Sequence, residues 1–68
     1  MQHQQINGWT VKLHEHDRYN DYSVVVDYIV EVCQPGDHYG RAFSCGTHKG
    51  DAMRIYQGAA AIVRKLSQ

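Results

Sequence analysis

Cysteine is scarce in this chain of 68 residues, proline, tryptophan and phenylalanine occur once each, and net charge is absent. Two thiols, Cys33 and Cys45, are too few for a small secreted fold stapled by several disulfides. Long hydrophobic runs are missing as well. The most apolar stretch, Ser23 to Cys33, is interrupted by Asp27 and Glu31 and falls far short of the ~20 residues a membrane helix needs. The opening Met1-Gln2-His3-Gln4-Gln5 holds neither a basic cluster nor an apolar run, so no secretory signal is expected, and the reading is of a cytoplasmic chain without a membrane partner. Zero net charge argues against a dedicated nucleic-acid binder, which is normally strongly basic.

What is present is enough to fold. Hydrophobic residues make up 43% and charged residues 21%, a composition that favours a packed core over disorder. The neutral total hides a split: residues 1–33 carry two basic against five acidic side chains, and residues 34–68 the reverse. That asymmetry suits a basic helix face, or copies that associate through opposite potentials, and little overall repulsion opposes such association.

The apolar pattern sets the elements. Residues 1–8 read as a flexible polar lead-in ending at Gly8. From Trp9 the pattern alternates, with Trp9, Val11 and Leu13 on one face and Thr10, Lys12 and His14 on the other, which predicts a half-buried strand over about 9–16. Val24, Val26, Tyr28, Val30 and Val32 share one face of a second strand, about 23–33, and Val25, Asp27, Ile29, Glu31 and Cys33 share the other. Gln34-Pro35-Gly36-Asp37 supplies a turn. A third strand follows over about 39–45. If the turn centres between Gly36 and Asp37, Cys33 faces Gly40 and Cys45 faces Tyr28, so the thiols cannot bridge.

After Gly46-Thr47-His48-Lys49-Gly50 the period changes. Ala52, Ile55, Tyr56, Ala59, Ile62, Val63 and Leu66 fall within an arc about 120° wide on a helix over about 50–66. Thr47 or Asp51 is the expected start cap, and Arg64 and Lys65 suit the helix end. Gly58 lies off the apolar arc and costs about 1 kcal/mol relative to Ala. The fold expected is α+β: a three-stranded antiparallel β-meander with one C-terminal amphipathic helix packed on one face, spanning 9–68 as one domain. Its core would hold Trp9, Val11, Leu13, Val24, Val26, Tyr28, Val30, Val32 and Phe43 from the sheet and the seven apolar helix residues.

Function is less legible. One helix covers one sheet face, which leaves Val25 and Ile29 on an uncovered side between two open edges, a pattern that favours self-association or a protein partner. Tyr19 and Tyr22, in the loop before the second strand, are good contact residues. These four are the expected protein interface, most simply that of a homodimer. His14 and His16 share the outer face with Cys33, but their spacing matches no zinc pattern, so neither metal nor cofactor is expected. No carboxylate pair or triad arises, and Cys45 and His48 lack an orienting third group, so no enzyme is expected.

The nucleic-acid alternative rests on Lys49 at the helix entry and on Arg54, Arg64 and Lys65 along the helix. Strand–strand–strand–helix order, the Thr47-His48-Lys49 entry and Ala59-Ala60 within the helix resemble the C-terminal part of a double-stranded RNA-binding domain over about residues 22–66. The N-terminal helix of that family has no counterpart here, and its paired entry lysines are replaced by His48-Lys49 followed by Gly50. The leading expectation is therefore a small soluble interaction module: a regulator, an inhibitor or an assembly subunit.

Overall fold

The computed structural model describes residues 2–68. Four strands, β1 (Gln2–Ile6), β2 (Trp9–Tyr19), β3 (Val24–Cys33) and β4 (Arg41–Ser44), form one antiparallel sheet in chain order, and α1 (Lys49–Leu66) packs on one face. The α+β reading holds in this general form, but the meander has four strands rather than three. The expected polar lead-in is mostly β1, and only Met1 of that stretch lies outside the described residues. Its cause is local. Asn7 and Gly8 both take positive φ, 50° and 89°, as a tight two-residue hairpin turn requires. Ile6 is thereby set opposite Trp9 and Gln2 opposite Leu13.

The alternation that predicted β2 and β3 fixes their faces. Leu13 pairs with Val30 and Val11 with Val32, and this side meets the helix. Val11 and Val30 are fully buried, and Leu13, Ala52, Tyr56, Ala60 and Val63 complete the buried core. The register between β3 and β4 is the one the Pro35-Gly36 turn implies. Val32 faces Arg41, and the Cys45 amide donates to the Tyr28 carbonyl at 2.7 Å just past the end of β4. Gly40 is required at the β4 entry: a Cβ there would fall against the Val32 carbonyl oxygen and 2.8 Å from its carbon.

The helix start departs from expectation. Neither Thr47 nor Asp51 caps it. The cap position is His48, in extended conformation and without a side-chain capping bond among the described residues. The His48 carbonyl accepts from the Ala52 amide at 3.1 Å, and Asp51 sits in the first turn, where its charge complements the helix dipole.

The helix also lies off-centre. It packs on β1, β2 and β3 and, among the described residues, brings no Cα within 8 Å of one in β4. Two polar contacts fix its C-terminal half to the β1 side: Arg64 donates to Gln4 Oε1 at 3.0 Å, and Asn7 Nδ2 donates to Ser67 Oγ at 3.0 Å. Beyond the helix, β2 and β3 continue as a two-stranded arm to Tyr19 and Val24, and the molecule extends 47 × 24 × 15 Å. Its radius of gyration, 13.1 Å, exceeds the ~11 Å of a compact chain of this length.

Candidate functional site

Five residues expected in the core are instead exposed: Val24 near the end of the arm, and Phe43, Ile55, Ile62 and Leu66. The last four are not scattered. They line a single groove of about 690 Å³ between α1 and β4, with Trp9 and Val32 on its floor. The apolar arc of the helix is therefore divided. Its Ala52–Tyr56–Val63 half, extended by Ala60, presses on the sheet, while the half carrying Ile62 and Leu66 faces sideways over β4. The division runs against size. Two alanines are fully withdrawn from water, whereas Ile62 is 60% and Leu66 68% exposed. The small residues let the helix sit close to the sheet, and the bulky ones are left mostly open to solvent. A contiguous apolar hollow with a polar rim, here Gln34, Asp37 and Arg41, is what marks an interaction surface.

The outer sheet face is built differently. Val25 and Ile29 lie there as expected, half-buried, but each is set among charged rungs. Arg18 Nε stands 3.1 Å from Asp27 Oδ2. His14 Nε2 lies 3.4 Å from Glu31 Oε2, off the line a hydrogen bond needs. The cross-strand partners Lys12 and Glu31, and His16 and Asp27, continue the ladder, so this face is a mosaic of opposite charges. Tyr19 and Tyr22 are 77% and 98% exposed at the arm tip. Asn20 Oδ1 organises that tip by accepting from the Tyr22 and Ser23 amides at 3.2 and 3.0 Å. The tip stands at the far end of the arm from the groove.

The four residues of the nucleic-acid alternative do not form one surface. Arg64 is turned toward β1 by its bond to Gln4. Arg54 stands 3.8 Å from Asp51, and Lys49 shares a small hollow with Glu15 and Gln2 below the helix start. Lys65 is exposed in the last turn. Cys33 and Cys45 are free and half-buried, on opposite faces of the sheet by register. Cys45 Sγ donates to the Phe43 carbonyl. No three His, Cys, Asp or Glu side chains gather as a metal site among the described residues, and none of their helices is long and apolar enough to cross a membrane.

Sequence periodicity found the groove residues but assigned them to the core. The signal that separates them is the excess of large apolar side chains, which spread over a wider arc than one sheet contact can bury. Comparison with protein-family models, with curated proteins and with solved structures finds no match.

Proposed function

We propose that this chain is a small protein-interaction module whose contact surface is the groove between α1 and β4. The observation that carries the reading is the joint exposure of Phe43, Ile55, Ile62 and Leu66 along one hollow, since a monomer with no partner gains by burying such side chains, each worth about 1.5–3 kcal/mol when fully withdrawn from water. The outer face is the weaker candidate, because Val25 and Ile29 would have to be covered together with the Arg18–Asp27 and His14–Glu31 rungs, at a desolvation cost. The role is binding rather than catalysis.

Trp9, the single tryptophan, lies on the groove floor and reports occupancy directly. A panel of helical peptides with apolar residues at i, i+3, i+4 and i+7 is titrated into protein held below micromolar concentration. Binders are expected to move Trp9 emission to shorter wavelength. That response should vanish in a Phe43→Ser, Ile62→Ser variant and persist in Val25→Asp and Ile29→Asp variants. Absence of any binder, or binders indifferent to the groove substitutions, overturns the reading.

A further inference from the structure

The sheet ends in two open edges, and they are built differently. β1 presents Gln2, His3, Gln4 and Gln5. β4 reads Arg41-Ala42-Phe43-Ser44, and all four residues are exposed. Strand edges are normally guarded by proline, lysine, a bulge within the strand or a covering helix. β4 contains neither proline nor lysine, its register with β3 is unbroken, and α1 packs on the other three strands. Its one charged residue, Arg41, lines the groove.

The hydrogen-bond phase of β4 follows from its end. The Cys45 amide donates to the Tyr28 carbonyl at 2.7 Å, which makes Cys45 and Tyr28 a hydrogen-bonded pair. Antiparallel pairs alternate, so Phe43 and Arg41 bond to β3, opposite Val30 and Val32. Ala42 and Ser44 therefore turn their amides and carbonyls outward, to the open edge. Phe43 shares the helix face with its buried partner Val30.

We infer that this edge pairs with β4 of a second copy, antiparallel about a two-fold axis through Phe43. That register bonds Ala42 of each copy to Ser44 of the other, four hydrogen bonds in all. It sets the two Phe43 residues opposite each other as a non-bonded pair, with Cα atoms about 4.5 Å apart and both rings on the helix face. Centring on Ala42 or on Ser44 instead leaves only one bonded pair within the strand, and centring on Arg41 opposes two like charges. About Phe43 the two Arg41 residues stand about 13 Å apart along the strands, and equal numbers of acidic and basic residues leave no net repulsion between copies. The dimer is closed, since each copy uses its one β4 edge. Because α1 stands over β1, β2 and β3, the two β4 strands meet between two helices. The grooves then adjoin, and each copy adds Phe43 to the floor of the other's.

Sedimentation across a dilution series tests the pairing, which goes beyond the groove's reading and does not depend on it. The interface is small, so the unaltered chain is expected to be dimeric at tens of micromolar and monomeric below one. Ala42→Pro removes an amide that bonds nothing within the chain, a place where an edge strand tolerates proline. It should raise the dissociation constant at least tenfold while the thermal midpoint of the dilute monomer moves little. Cross-linking reads the register without relying on that variant's fold. With Cys33 and Cys45 changed to serine, Phe43→Cys should form an intermolecular disulfide on mild oxidation and Arg41→Cys should not. A chain monomeric to several hundred micromolar overturns the pairing, as does a dimer indifferent to a folded Ala42→Pro variant. Cross-linking through Arg41→Cys in place of Phe43→Cys overturns the register. Peptide binding in the groove, measured on the dilute monomer, stands or falls separately.

Discussion

Truncating two aliphatic side chains, Val30 and Ile62, that sequence periodicity places in the same core should give sharply different results. Val30 is fully buried. Val30→Ala removes two methyl groups, about 1.6 kcal/mol of transfer free energy at ~0.8 kcal/mol per carbon. The cavity left in a sheet–helix contact adds about 1 kcal/mol, for a loss of roughly 2.5 kcal/mol. A domain of this length is stabilised by only about 3–10 kcal/mol. Ile62→Ala removes three carbons, and in a core it would cost 2–5 kcal/mol. Ile62 is 60% exposed, so about two-fifths of the transfer term is at stake, near 1 kcal/mol, with no cavity. The better helix propensity of alanine returns about 0.4 kcal/mol, and the net loss is about 0.5 kcal/mol. Urea unfolding followed by circular dichroism, below micromolar concentration so that association does not contribute, separates the two. With a slope near 1 kcal/mol per molar urea, Val30→Ala should lower the midpoint by about 2.5 M and Ile62→Ala by about 0.5 M. Equal losses would mean that the helix is rolled to bury Ile62, which closes the groove and removes the basis for everything proposed of it.

Two further outcomes follow from local geometry and from charge. Gly8→Ala places a Cβ at φ 89° and 3.2 Å from the Pro35 ring, so it should cost about 1–2 kcal/mol, read by the same unfolding assay; an unchanged midpoint would mean that the Asn7-Gly8 turn does not hold β1 in place. A short nucleic-acid duplex titrated at low salt is expected to give no saturable binding; binding that weakens steeply with salt and falls in Lys49→Glu, Arg54→Glu, Arg64→Glu or Lys65→Glu variants would favour nucleic acid over the protein partner.

The sequence made β2, β3 and α1 legible because each has a strong period: alternation that buries Val11, Leu13 and Val30, and a 3.6-residue repeat that buries Ala52, Tyr56 and Val63. The β3–β4 register was legible because Pro35-Gly36 leaves the turn few choices. β1 is hidden, for Gln2 to Ile6 holds a single apolar residue and no β-rich pattern; its one signal is Asn7-Gly8, a two-residue hairpin turn beside an otherwise polar segment. Ala60 is equally hidden, because alanine contributes little to a hydrophobic pattern, though it is nearly fully buried. Which part of the apolar arc touches the sheet was beyond periodicity altogether, because it depends on where along the sheet's width the helix settles.

That position and the unseen strand have one cause. Strands lie about 4.8 Å apart, so four of them present a face wider than the 10–12 Å diameter of one helix. With three strands a single helix covers nearly all of the face, which is why the three-stranded expectation left no groove. Adding β1 widens the sheet on one side, and it also supplies the groups that hold the helix there. Gln4 accepts from Arg64, and Asn7 in the turn donates to Ser67, both on the last two turns of α1 and just beyond. Drawn toward β1, the helix leaves β4, and Phe43, Ile62 and Leu66 lose the cover they would otherwise give one another. A strand built almost wholly from polar residues thus opens the apolar groove, through the side on which it holds the helix rather than through anything it buries.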